Sequence, residues 1–200
     1  MIANCIFQKY VIILISLVLM KQQKNIYVIT GGPGFGKTSI VESLNDLGYK
    51  VCSEYARELI ASGLENNNDI LPWKNPRLFQ QVIFDKRKAF YETVTDEELA
   101  FVDRSIIDQI AYSRIHGRKE SAEVRDFAKN YRYAETVFFT PPWEEIYTTD
   151  AVRKESFHNA EAMHHLFVQT YIDYGYSVVQ LPHSDVMTRI NFILKYIHND

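Results

Sequence analysis

The stretch NIYVITGGPGFGKTSIVESLNDLG, residues 25–48, decides the fold. Ile26, Val28 and Ile29 are β-branched and apolar, and a glycine cluster ends the run, so Asn25 to Thr30 reads as a buried strand. From Lys37 onward Ile40, Val41, Leu44 and Leu47 recur at helical spacing. Gly48 then caps the helix and returns the chain to a second strand, Tyr49 to Ser53. Between strand and helix, Gly31 to Thr38 reads GGPGFGKT and meets every specified position of G-x-x-x-x-G-K-[ST]. Such a loop turns backbone N–H groups around phosphate oxygens and adds the positive end of the helix. Lys37 reaches the terminal phosphates, and the Thr38 hydroxyl is a ligand for Mg2+. Gly31, Gly32, Pro33, Gly34, Phe35, Gly36, Lys37, Thr38 and Ser39 are thus the candidate cradle for ATP or GTP.

Outward from that loop, strands and helices alternate. EYARELIASG reads as a helix up to Gly63, and ENNNDILPWKNP, rich in Asn and Pro, as an exposed loop before helix resumes near Arg77. Leu99 to Asp103, Thr136 to Thr140 and Ser177 to Leu181 are three further apolar strands. The expected fold is α/β, a three-layer α/β/α P-loop domain around a five-stranded parallel sheet. Ligands of such sheets lie beyond the carboxyl ends of the strands, so Gly31, Glu54, Asp103 and Thr140 are expected to face one crevice.

Three segments carry further chemistry. In AFVDRS, Asp103 ends an apolar strand where a carboxylate can hold magnesium beside Thr38; it can equally cap the helix that follows. Arg104 can stabilise charge on the transferring phosphate, or pair with Asp108 one turn along. In VCSEYAR, Glu54 ends the second strand, across the crevice from Lys37, and is a candidate general base for an attacking hydroxyl; the alternative is a charge on the first turn of its helix. Arg57 either contacts substrate or pairs with Glu54. After Pro141 and Pro142, Arg153 and Lys154 suit a lid that closes positive charge over phosphates, although a solvated helix face has the same composition. His158, His164 and His165 lack metal-ligand spacing and read as surface or core residues.

The remaining composition narrows partners and compartment. The chain has 200 residues, 46% hydrophobic and 24% charged, the make-up of one globular domain. A net charge of −3 gives no global attraction to nucleic acid or anionic lipid, so an anion site must be built locally. Cys5 and Cys52 suit reduced thiols of a cytoplasmic protein. YVIILISLVLM, residues 10–20, is shorter than the about 20 apolar residues of a membrane span and is followed by no small-residue cleavage site. Translation from Met20 is the simplest reading, leaving residues 1–23 as a leader and 24–200 as the domain.

GGPGFGKTSIVESL, SEYARELI, FVDRSIIDQIAY and PPWEEIYTTDAVRKESF together resemble a family of small predicted ATP-binding proteins labelled as AAA-type, across about residues 24–197. The EYAR and DRS pieces are also similar to the nicotinamide riboside kinase domain of bacterial NAD regulators and, more distantly, to deoxynucleoside kinases. That resemblance implies a nucleoside-kinase-like P-loop fold, Glu54 as base, Arg153 as lid arginine and Pro182 to Asp185 as the adenine-contacting loop. It departs from the AAA label, which implies an arginine finger, sensor residues and a helical lid domain for which the last strand and helix leave no room. No N-K-x-D run occurs in the latter half, which favours ATP over GTP. The expectation is an Mg-ATP phosphotransferase with catalytic Lys37, Glu54, Asp103, Arg104 and Arg153, acting on a small hydroxyl acceptor such as a nucleoside or riboside. An ATP-hydrolysing switch is the alternative, and a homo-oligomer is compatible with either.

Overall fold

Alternation of side chains builds the sheet. The structure, a computed structural model, describes residues 22–148 and 156–199. The short apolar runs become β2 (Ile26–Thr30), β3 (Lys50–Cys52), β4 (Ala100–Asp103), β6 (Thr136–Phe139) and β7 (Ser177–Gln180), each within a residue of its expected bounds. They form one parallel sheet in the order β3-β4-β2-β6-β7. Ile26, Val28, Ala100, Val102, Val137 and Phe139 point to one face, while Ile29, Phe101 and Phe138 point to the other. Because the three middle strands are covered on both faces, they read as nearly continuous apolar runs.

Helices α1 (Lys37–Asp46) and α7 (Val186–Asn199) cover the face carrying Phe101 and Phe138. Helices α3 (Pro76–Thr93), α4 (Ile106–Ile115), α5 (Ala122–Asn130) and α6 (Phe157–Asp173) cover the other. The result is the three-layer α/β/α arrangement expected from the sequence. Two short strands were not expected: β1 (Gln22–Gln23) and β5 (Tyr131–Arg132), two residues each, pair in parallel outside the main sheet. Next to β1, the buried ammonium of Lys24 donates to the Tyr91 and Val94 carbonyls and so closes the carboxyl end of α3. The apolar run 10–20 and Arg153 and Lys154, expected in a lid, lie outside the described residues. No helix among the described residues is long and apolar enough to cross a membrane.

The segment after β3 corrects two expectations. Helix α2 (Tyr55–Glu65) continues through Gly63, because that glycine is where Leu71 packs: a Cβ there would lie 2.7 Å from Leu71 Cδ2. The Asn- and Pro-rich loop is therefore not simply exposed. Leu71 is buried with Ile60, Phe79 and Ile83, pinning the loop between α2 and α3, while its neighbour Trp73 is 60% exposed. Asn75 then caps α3 by accepting from the Leu78 N–H at 3.1 Å.

Candidate active site

The shape of the phosphate loop follows from its glycines and one buried ring. Gly31 has φ +140, and a Cβ there would fall 2.5 Å from Thr140 Oγ1, so β6 can approach only a glycine. Thr140 is thereby buried against Thr30, donating to its carbonyl, and does not line the crevice as expected. Gly36, at φ +77, is the N-cap of α1 and brings no side chain, leaving the first N–H groups of the helix open to an anion. The Phe35 ring points inward, onto Tyr147, Phe157 and His164. Gly31, Gly32 and Phe35 thus form the buried frame of the loop, while Pro33, Gly34, Gly36, Lys37, Thr38 and Ser39 line a cavity.

Lys37 and Asp103 are both held at a cost. Lys37 is buried and donates to the Gly32 carbonyl at 2.7 Å. Burial, with the nearby Arg104 charge, lowers its pKa to about 8 against the opposing pull of Asp103, Glu54 and Asp108. Asp103 accepts from the Thr38 hydroxyl at 3.1 Å through Oδ2, while its buried Oδ1 has no partner. Burial and the Glu54 charge push Asp103 up to about 6, with Lys37, Arg104 and the Thr38 hydroxyl opposing. An orphaned, buried carboxylate oxygen beside a hydroxyl fits a hard cation. No group of three or more His, Cys, Asp or Glu side chains suited to a metal occurs among the described residues. The side chains at this point that could hold a cation are Thr38 and Asp103. The helix-cap alternative for Asp103 is not realised: Ser105 caps α4, in a reciprocal box with Asp108.

Glu54 sits at the N-cap of α2 without making a capping bond. Its carboxylate turns instead to Arg104, whose Nε donates to Oε1 at 3.0 Å. Burial raises the Glu54 pKa, but Arg104, Lys37 and Arg57 outweigh it and hold the group at about 2. Arg104 also donates to the Gly31 carbonyl at 3.1 Å and to Asp108 at 3.4 Å, so both Glu54 and Asp108 are its partners. Asp108, fully buried, further accepts from the Thr30 and Tyr171 hydroxyls. Sequence reading raised Asp108 only as an ion-pair partner; the S-x-x-D spacing after Arg104 is the signal for its capping role.

The cavity, about 670 Å³, runs from the phosphate loop past Glu54 and Arg104 to Ile60, Pro72, Trp73, Phe79 and Ile83. Arg57, from the first turn of α2, lines it. So do Gln80, Arg87, Gln109 and Tyr112, which sequence reading missed. The available signal was α3 itself, where Phe79, Ile83 and Arg87 recur every four residues and place a cation on an apolar stripe. Of the histidines, His164 is core: its ring lies against Phe35 and Phe139, and burial lowers its pKa to about 4. His158 and His165 are exposed. On the other side of the loop, His183 meets the Pro142 carbonyl at 3.0 Å, and Arg189 lies over the Trp143 ring and against Gly36.

The backbone resembles that of several solved kinases. The deoxyadenosine kinase of M. mycoides, solved with dCMP, superposes with a TM-score of 0.60 at 15% identity, over 88% of this chain and 100% of that one. NadR in complex with NR gives 0.60 at 19% identity over 88% of this chain and 51% of its own, so this chain spans about half of NadR. Shikimate kinase from Acinetobacter baumannii gives 0.50 at 14% identity over 92% and 97%. At these identities the likeness establishes a P-loop kinase fold. No curated protein matches the chain in sequence. A family profile described as AAA domain matches residues 26–189. With most of its length matched and a complete phosphate loop within the match, the chain belongs to that AAA-domain family.

Proposed function

We propose that this protein is an Mg-ATP-dependent phosphotransferase that moves the γ-phosphoryl group to a small hydroxyl acceptor. One observation carries the reading: the cavity does not stop at the phosphate loop but continues past Glu54 into a compartment walled by Ile60, Pro72, Trp73, Phe79 and Ile83. A triphosphate alone leaves that end empty, whereas a second substrate fills it. The fold likeness to kinases of nucleosides and of shikimate supports the reaction class.

In this reading Lys37 and the open N–H groups of α1 hold the β- and γ-phosphates. Thr38 and Asp103 would hold magnesium, which would supply charge neutralisation on the transferring group. The base lies near Trp143, His183 and Arg189. Glu54 accepts a hydrogen bond from the acceptor hydroxyl. The acceptor's hydroxyl oxygen bonds to the γ-phosphorus as the bond to the β-phosphate oxygen breaks, ADP leaves, and the hydroxyl proton passes through Glu54 to water. The lid arginine is Arg153.

A panel of hydroxyl-bearing metabolites, scored for ADP formation and for stoichiometric phosphorylated product, tests the reaction. ADP released at one rate with or without every compound would instead establish a nucleotide-hydrolysing switch. Lys37→Ala should weaken ATP binding roughly 10- to 100-fold, the loss of one charge-assisted hydrogen bond, without unfolding the protein. Unchanged ATP affinity would remove Lys37 from the phosphate site.

The raised Asp103 pKa supplies a pH test. Folded Asp103 keeps its proton up to about pH 6 and unfolded Asp103 only to 3.8, so its burial penalises the metal-free fold above pH 6 and ceases to do so below 3.8. Magnesium needs the carboxylate, so Mg-dependent nucleotide affinity should fall about tenfold for each pH unit below 6, with one proton released on binding. Asp103→Asn should flatten that slope. A flat profile in the unaltered protein would refute the magnesium role.

A further inference from the structure

We propose that the acceptor carries an oxyanion, a phosphomonoester or carboxylate group, and that Arg87 binds it inside the cavity; this rests on the phosphotransfer reading above. Arg87 comes from the buried face of α3, is 5% exposed, and lines the cavity together with Phe79, Gln80 and Ile83 of the same helix. Among the described residues it makes no hydrogen bond or ion pair. The groups around it that sense its charge are the Tyr55, Tyr112 and Tyr133 hydroxyls and the Cys52 thiol, none of them an anion at neutral pH. Of the other buried cations near the phosphate loop and along α3, Lys24 has two carbonyls, Lys37 a carbonyl, and Arg104 two carboxylates and a carbonyl; Arg189 also leaves Nε and Nη1 unpartnered but does not line this cavity.

A guanidinium that lines a cavity without a protein anion beside it is open to an anion that enters. The rest of the cavity wall supplies no such partner. Its cations are Lys37, Arg57, Arg87 and Arg104 and its carboxylates Glu42 and Glu54, of which Glu54 is engaged by Arg104. The compartment is thus positive overall and disfavours a cationic acceptor. A guanidinium presents paired N–H donors that match the two oxygens of a carboxylate or phosphate. Gln80 and Gln109, joined at 3.0 Å, lie on the same wall and add polar side chains beside Arg87.

The test is a matched panel with Mg-ATP. Ribose 5-phosphate and nucleoside 5′-monophosphates form one arm, and hydroxycarboxylic acids the other. Each compound is assayed beside its neutral counterpart: free sugar, nucleoside or methyl ester. Binding of the same compounds is measured by calorimetry with a non-hydrolysable ATP analogue present. The anionic member should be preferred at least tenfold in one arm, which identifies the oxyanion. Arg87→Gln should raise its KM and Kd roughly 10- to 100-fold, while the neutral member moves less than threefold. Arg87→Lys, which keeps the charge but not the fork, should recover part of the loss and controls for folding. Phosphorylation of neutral members in preference to anionic ones overturns the inference and leaves phosphotransfer standing. If no compound is phosphorylated, the phosphotransfer reading fails. Calorimetry then decides the anion site alone, because anionic ligands that bind Arg87→Gln as tightly as the unaltered protein refute it.

Discussion

Replacing Glu54 by glutamine should lower acceptor phosphorylation by roughly 10²- to 10⁴-fold while leaving ATP affinity nearly unchanged. The substitution preserves shape, and the amide oxygen can still accept from Arg104 Nε, so the carboxyl end of β3 keeps its geometry. What is lost is the negative charge facing the acceptor hydroxyl. Arg104, Lys37 and Arg57 together overcome the effect of burial and hold Glu54 at about 2, so it is ionised throughout the working pH range. Such a carboxylate is a weak proton acceptor at equilibrium. Its contribution is to orient the hydroxyl and to take the proton late, as suits a loose phosphoryl transition state. Glu54 should therefore add no inflection of its own between about pH 5 and 9, and an acid limb near pH 6 belongs to Asp103. Were Glu54 only a charge at the start of α2, the variant would lose about 0.3–1 kcal/mol of stability and keep its turnover. An intact phosphotransfer rate would rule out the base and favour the switch-type ATPase.

Features whose chemistry is local were legible in the sequence. GGPGFGKT could be read because loop shape and phosphate contact both constrain the same few positions, and the β-branched runs around it could be read because a strand buried on both faces has no polar residue to spare. Asp103 and Glu54 followed as the residues ending two such strands. The features that escaped depend on partners far along the chain. Gln22–Gln23 and Tyr131–Arg132 carry no strand pattern and pair where Lys24 ties the chain to the end of α3. Gly63 reads as a helix stop until Leu71 is seen to need its space. Asn- and Pro-rich composition marks residues 65–76 as exposed, yet burial of one leucine fixes the loop and sets Trp73 at the cavity. Arg87 stands in the run DKRKAF, where its neighbours are ordinary surface cations, and only the helix phase singles it out.

Arg104→Met should cost about 3–5 kcal/mol of folding stability, the loss expected when one partner of a buried ion pair is removed. The side chain is 2% exposed and is the shared donor to Glu54, the Gly31 carbonyl and Asp108. Its guanidinium also lies over the Phe167 ring at 5.2 Å and the Tyr112 ring at 5.5 Å. Backbone strain accompanies these contacts. Arg104 has φ +68, a left-handed conformation that costs a bulky residue of order 1–3 kcal/mol and persists only where its surroundings hold it. Methionine keeps that strain and much of the apolar stem packing but removes the charge. Asp108 would stay satisfied by the Ser105 N–H and the Thr30 and Tyr171 hydroxyls, so the groups that lose their donor are the Gly31 carbonyl and Glu54, and the uncompensated charge is Glu54. Denaturant unfolding of Arg104→Met, Glu54→Gln and the double variant separates this from simple loss of packing. The double variant should be more stable than the sum of the single losses implies, because the neutral amide that replaces the Glu54 carboxylate no longer needs the cation. Strict additivity would show that Arg104 acts through packing alone. The pH dependence gives an independent check. Glu54, depressed in the folded state, contributes stability that is present above about pH 4.5 and lost as pH falls toward 2. Removing Arg104 abolishes that contribution, so the deficit of Arg104→Met should be largest near neutrality and should shrink as the solution is acidified through that window.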